Sequence, residues 1–304
     1  MPKARTRLLT AFAAVYLIWG STYLAIRFAI ETIPPFLMAG FRFLLAGAVM
    51  YWLVRLRGAS RPTVRQWLWA AVVGALLLLG GNGGVVWAEQ TVPSGQAALL
   101  VATEPLWIVL IDWVRPGGER PLRGEVVGLA LGVAGVAVLI TPAGLFGAAF
   151  EVDLVGATVL VFAALAWAVG SVVSRQAPAH ESSFVATAMK MLTGGVLLVV
   201  AGTITGEWAR LDVAAITPRS WFALAYLVVF GALIGFTAYV WLLKNTTLAR
   251  ASTYAYVNPI VAVILGWMLA AEPLNSRVMV AAGIIVSGVV IVVRSHRQEM
   301  GSGV

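Results

Sequence analysis

Ten runs of about twenty mostly apolar residues follow one another with short connections: 8–30, 34–54, 66–88, 94–114, 124–142, 153–174, 183–204, 219–243, 250–271 and 275–293. Each is long enough to cross the hydrocarbon core of a bilayer as a helix, which takes about 20 residues. Backbone N–H and C=O groups find no water there, so a spanning segment must satisfy them internally. The alternating pattern of a transmembrane barrel is absent, and helices are expected throughout. Charged residues make up only 11% of the 304 positions and hydrophobic ones 61%, against about 25% charged in a soluble domain. So few charges cannot cover a water-exposed surface of this size. A soluble, disordered or fibrous chain is excluded. The sequence reads as an all-α integral membrane protein with the lipid bilayer as its partner. The first run follows Lys3, Arg5 and Arg7 but is too long for a signal-peptide core and lacks a small-residue cleavage site, so it is expected as a retained first span.

The net charge of +8 would suggest nucleic-acid binding in a soluble protein, but the positions of the charges point to topology instead. With a cytoplasmic N-terminus, fifteen Lys and Arg residues fall on the cytoplasmic side, from Lys3 through Arg55, Arg65, Arg120, Arg175 and Lys244 to Arg297. Four fall outside: Arg27, Arg210, Arg219 and Arg277. Most acids lean outward, including Glu31, Glu89, Glu151, Asp153, Glu207, Asp212 and Glu272. This asymmetry is the positive-inside pattern and places both termini in the cytoplasm of a bacterial-type inner membrane. No nucleic-acid partner is expected.

Cysteine is absent, which excludes disulfides, iron–sulfur clusters, zinc thiolates and Cys nucleophiles. The two histidines, His180 and His296, lie outside the apolar runs. No metal and no cofactor is expected. Gly80-Gly81-Asn82-Gly83-Gly84 lacks the Lys-Ser/Thr that a phosphate loop needs, so the chain does not itself use ATP. Small residues inside a span allow close helix contact or a flexible gate, with Asn82 facing the interior. Gly124, Gly128 and Gly132 repeat this on span five and are expected to pack within the chain, against span ten at Gly283 and Ser287. A monomer is therefore expected.

The two halves of the chain resemble each other. Val86-Trp87 matches Val240-Trp241, Ala97 matches Ala251, and Thr103-Glu104-Pro105 matches Val257-Asn258-Pro259, all at one offset; Trp113 matches Trp267. Trp19-Gly20-Ser21 matches Trp167, Gly170 and Ser171, and Arg42 matches Lys190. The halves are residues 1–146 and 147–304. With five spans each they have opposite orientation. Inverted repeats of this kind mark secondary transporters whose substrate site lies near the midplane.

Ten spans in two five-span halves, Trp-Gly-Ser in span one, Arg42 in span two, Glu104-Pro105 in span four and Asn258-Pro259 in span nine resemble the drug/metabolite transporter superfamily. The EamA-type exporters, and the YddG-type aromatic amino-acid exporters among them, are the most similar branch. The resemblance implies ten helices as two inverted five-helix repeats around a central cavity, working by alternating access. One departure stands out. Asn258 answers Glu104, so a symmetrical carboxylate pair is missing.

Ionisable groups inside a span mark function by default. Arg42 and Lys190 approach the midplane from opposite sides and suit a carboxylate, Arg by a two-pronged bond. Glu104 suits an ammonium or a proton. Tyr16, Trp19, Tyr23 and Arg27 share one face of span one. Trp107, Trp167, Ser171, Tyr239, Thr253 and Tyr256 add aromatic and polar groups on other spans. Together they suit a flat amphipathic solute or a cation held against rings. Pro105 and Pro259 are expected to break their helices at matched places, with Gly81 and Gly83 as gate residues. Trp52, Trp67, Trp69, Trp113, Trp221 and Trp267 are expected in the interfacial belt or in packing.

The leading expectation is a secondary exporter of small metabolites, amino acids foremost: aromatic and other neutral ones such as phenylalanine, tryptophan, threonine and methionine. Drug or purine/nucleoside export is the alternative. An intramembrane lipid-modifying enzyme would need clustered acids or His with a metal or base. The only close acidic pair, Glu151 and Asp153, lies in a loop without His, so no enzyme is expected.

Overall fold

A computed structural model describes residues 2–114, 120–140, 153–178, 180–245 and 254–302. All regular structure among them is helical. In chain order we label α1 (Pro2–Ala29), α2 (Pro35–Leu56), α3 (Val64–Ala88), α4 (Ser94–Val114), α5 (Arg123–Ile140), α6 (Leu154–Gln176), α7 (Ser183–Ile204), α8 (Pro218–Leu242), α9 (Tyr254–Ala270) and α10 (Ser276–Ser302). Eight of these, α1 to α8, are long and apolar enough to cross a membrane; α9 and α10 contribute shorter apolar stretches, Val257–Ala270 and Ser276–Val292. The expected boundary between the halves, at residues 146 and 147, lies outside the described residues.

The main contacts follow a simple rule. α2 packs on α7, α5 on α10 and α4 on α9. α1 packs on α8 and α9, while α6 packs on α3 and α4. Exchanging each helix with the one five places on leaves this set unchanged. Both α3 and α8 are wound as π-helix in the middle, over Ala75–Asn82 and Leu227–Ile234. Two contacts depart from the rule: α1 also packs on α4, and α10 on α4, with no contact of similar extent between α6 and α9 or between α5 and α9 among the described residues.

The connections at residues 30–34, 89–93, 205–217 and 271–275 lie at one end of the bundle, the closed end, where buried residues gather. Ala29, Ile33, Leu37, Met38, Ala88, Val92, Leu99, Leu160, Leu198 and Leu227 join a single buried cluster there. The other end has only small clusters, around Val15 with Leu242 and around Val185 with Met189. The outer surface is apolar: Leu17, Trp52, Phe162, Ile204 and Phe222 are all exposed, as lipid-facing residues must be. Of the expected belt, Trp52, Trp113, Trp221 and Trp267 are exposed, whereas Trp67 packs on Tyr51 at 5.8 Å.

At the closed end the helix termini are satisfied by side chains from elsewhere in the chain. α2 and α4 follow Pro34 and Pro93 and have no side-chain caps of their own. Glu207 accepts from the N–H groups of Phe36 (3.2 Å) and Leu37 (2.9 Å). Glu272 accepts from Ser94 (2.7 Å) and Gly95 (3.0 Å). Arg27 donates to the carbonyls of Glu89 and Gln90 at the end of α3, and Arg277 to those of Val138 and Leu139 at the end of α5. Carboxylates sit at helix N-termini and guanidiniums at C-termini, each on the favourable pole of the helix dipole.

α5 and α10 approach closely through glycine. A Cβ on Gly128 would stand 2.5 Å from Val292 Cγ2 and 2.6 Å from the Gly288 carbonyl oxygen. Span ten is thus the partner expected for span five, but through Gly288; Gly283 faces open space, and Gly132 instead receives Leu106 of α4. Gly128→Leu should lower thermal stability by about 1–3 kcal/mol through overpacking, while Gly283→Ala should leave it unchanged. Melting of the two purified variants in detergent checks this.

Candidate substrate site

α1 turns Trp19 towards α8 and α9, while Arg27 of the same expected face reaches the end of α3. Trp19 meets three rings: Phe236 at 5.3 Å, Tyr239 at 5.0 Å and Tyr254 at 5.1 Å between centroids. Tyr239 and Tyr254 meet edge to face at 5.6 Å. The Trp19 indole N–H donates to the Gly231 carbonyl at 3.2 Å. That carbonyl lies in the π-wound stretch of α8, where the wider turn disturbs the usual backbone pairing and leaves acceptors for side chains. Gly235 makes room for the ring: a Cβ there would lie 2.5 Å from Trp19 Nε1.

The other half repeats the device. Trp167 on α6 lies against the π-wound stretch of α3, where a Cβ on Gly81 would stand 2.6 Å from Trp167 Cε3. Gly81 therefore seats a tryptophan, and Gly83 packs against Leu198 and Phe36.

α4 is interrupted beside Pro105: the helix stops at Val101 and restarts at Glu104. The Thr103 hydroxyl donates to the Leu100 carbonyl at 2.6 Å and so satisfies an acceptor near the break. Pro259 departs from expectation, since α9 runs through it without interruption. Val257 stands where α4 has Thr103 and offers no hydroxyl to stabilise an open turn. Glu104, half-buried at the N-terminus of the restarted helix, lies beside the Ser171 hydroxyl of α6. Its charge acts on Tyr23, Tyr239 and Tyr254. A carboxylate thus faces a group of aromatic rings, with a helix N-terminus behind it.

The two predicted basic residues do not meet. Lys190 donates to the Ser174 hydroxyl of α6 at 2.7 Å. Arg42 is buried, with Nε and Nη1 unpartnered. It lies over Phe43 and beside the π-wound stretch of α8, where a Cβ on Gly231 would be 3.1 Å from its Nη2. The charge acting on Arg42 is that of Glu89, not Glu104. Asn82 and Asn258 also hold buried, unpartnered Oδ1 atoms. Trp107 is half-buried one turn past Glu104 and makes none of these ring contacts. The Tyr256 side chain, Thr253 and Glu151 lie outside the described residues.

Three participants escaped the sequence reading. Tyr254 sits one helical turn before Asn258 and was legible by that spacing. Phe236 is one apolar residue among many. Glu89 closes an apolar run and resembles a loop acid, yet it is fully buried.

The EamA-like transporter family matches the chain twice, over residues 7–141 and 154–294. An "Uncharacterized inner membrane transporter YedA" of Escherichia coli (strain K12) is 42% identical, covering 93% of this chain and 89% of the relative. An "Uncharacterized transporter YvbV" of Bacillus subtilis (strain 168) is 25% identical, over 100% of this chain and 96% of the relative. A solved crystal structure superposes with a TM-score of 0.65 at 24% identity, covering 96% of this chain and 99% of that one, and so shares the fold. The chain belongs to the EamA-like transporter family and is a membrane transporter.

Proposed function

We propose that this transporter exports small metabolites from the cytoplasm, amino acids with flat side chains foremost, by alternating access between two inverted five-helix halves around a central cavity. The carrying observation is the crossed pair of tryptophans. Trp19 of the first half rests on the π-wound helix of the second, and Trp167 of the second half rests on that of the first. The exchangeable helix contacts support the inverted repeat in the same way. The extra contact of α1 with α4 breaks that exchange and accompanies closure at one end. Rocking moves a device of this kind between two arrangements without repacking either half.

The site chemistry supports an ammonium-bearing solute. Glu104 offers a carboxylate to the ammonium, and Trp19, Tyr239, Tyr254 and Phe236 offer rings to a flat side chain. Arg42, with two unpartnered nitrogens, suits the carboxylate of a zwitterion. Glu104 faces tyrosines and lies apart from Arg42, which favours organic cations as the second reading. Both termini are assigned to the cytoplasm, so the closed end faces outward; the cysteine-free sequence permits single-cysteine labelling. A cysteine introduced at Gly58 should be protected from an impermeant maleimide in intact cells and one at Asp212 labelled; the reverse pattern inverts the topology.

Counterflow of labelled phenylalanine in proteoliposomes tests the substrate class. Saturable exchange, competed by tryptophan and methionine but not by a nucleoside, is the expected result. Exchange absent from vesicles holding folded protein removes the amino-acid reading, and inhibition by organic cations alone selects the second. Glu104→Gln should weaken apparent affinity on the order of tenfold, as expected when a charge-assisted bond is lost. Trp19→Ala should weaken it by a similar factor, because both ring stacking and the anchor on Gly231 disappear.

A further inference from the structure

Among the described residues, the acids at the closed end all have structural duties except one. Glu31 pairs with Arg219 at 3.3 Å. Asp153 caps α6 and accepts from the Thr91 hydroxyl. Asp212 caps a short turn at Ala214, and Glu207 and Glu272 cap α2 and α4. Glu89 is the exception: it is completely buried, and neither carboxylate oxygen has a hydrogen-bond partner. Its backbone groups are used, the N–H by the Val85 carbonyl at 2.9 Å and the carbonyl by Arg27 at 2.7 Å. Arg42 is the matching orphan of opposite sign, on α2 against the last turn of α3. The two influence each other's charge yet form no ion pair within 4 Å among the described residues. Isolated buried charges of this kind are too costly to persist unless they neutralise or receive a ligand.

We propose that Glu89 is a proton-binding site, loaded while the closed end is shut and emptied when that end opens to water, with Arg42 setting its occupancy. The chemistry is a simple exchange. The carboxylate takes a proton from water and becomes a neutral carboxyl that can be buried. Opening the closed end hydrates the group, returns the proton to water there, and lets the ionised carboxylate and Arg42 be solvated. The site is separate from Glu104, which lies beside Ser171. Tyr23 of α1 lies within reach of both acids.

The groups that face Glu89 are Arg27 and Tyr23 from α1, Arg42 from α2 and Glu272 from the α9–α10 connection, with Asp153 at the head of α6 held by Thr91. Glu89 lies one residue past α3. Burial, the largest cause, lifts its carboxyl well above the usual carboxylate range; Glu272 adds to the rise, and Arg27 and Arg42 oppose it. Because the folded state keeps a proton that the unfolded chain releases, stability should fall as pH rises from the ordinary carboxylate range towards the Glu89 midpoint.

Infrared titration of the full chain in lipid, between about pH 5 and about pH 9, tests this without any substrate, so its outcome is independent of the amino-acid reading. A protonated-carboxyl C=O band is expected near neutral pH. Glu89→Gln should abolish one component of it, and Glu104→Gln should leave that component in place. Arg42→Gln should move its midpoint up by about one unit or more, as loss of a nearby cation does. A wild-type band wholly lost in Glu104→Gln, or no band at neutral pH, overturns the proposal. Should Glu89→Gln fail to fold, the Glu104→Gln and Arg42→Gln spectra decide alone: a surviving component that shifts with Arg42 supports the site, and one insensitive to Arg42 removes it.

Discussion

In an apolar bundle, every helix terminus brings backbone groups that cannot be left bare, and this requirement organises the closed end. α2 and α4 begin after proline without their own caps, and carboxylates from connections in the second half of the chain complete them. Arg27 and Arg277 complete the ends of α3 and α5. The caps therefore tie the two halves together at one end, where most of the core is gathered. Breaking that end open exposes N–H groups to water, which can replace the lost carboxylates, so the arrangement is firm without being irreversible.

Local partners account for four basic residues near this end. Arg27 and Arg277 cap helix C-termini, Arg210 pairs with Glu207, and Arg219 pairs with Glu31 while lying over Phe28. Each has a local partner that accounts for its place. Against this background the unpartnered Glu89 and Arg42 stand out, because everything ionic around them is used.

The middle of the bundle follows a different principle. π-winding in α3 and α8 disturbs the backbone ladder, glycines remove side chains beside it, and a tryptophan from the opposite half fills each gap. Packing of this sort depends on ring edges against glycine. The halves are not equal, however. α4 is broken at Pro105 and carries Glu104 at the fresh N-terminus, whereas α9 runs straight through Pro259. The hydroxyl of Thr103 is present in one half only.

Sequence alone determined the solvent of this protein, its helical class and the face of α1 that carries Trp19 and Tyr23, because apolar runs of bilayer length and helical spacing are local properties. It also marked Glu104 and Arg42, since an ionisable group inside an apolar run is visible without coordinates. It could not show that Lys190 would turn to Ser174, that Phe236 and Tyr254 would join Trp19, or that Glu89 would be buried. Those outcomes depend on which helix lies opposite. A residue at the end of a run looks the same in a loop as under a closed cap, and only tertiary packing decides whether water reaches it.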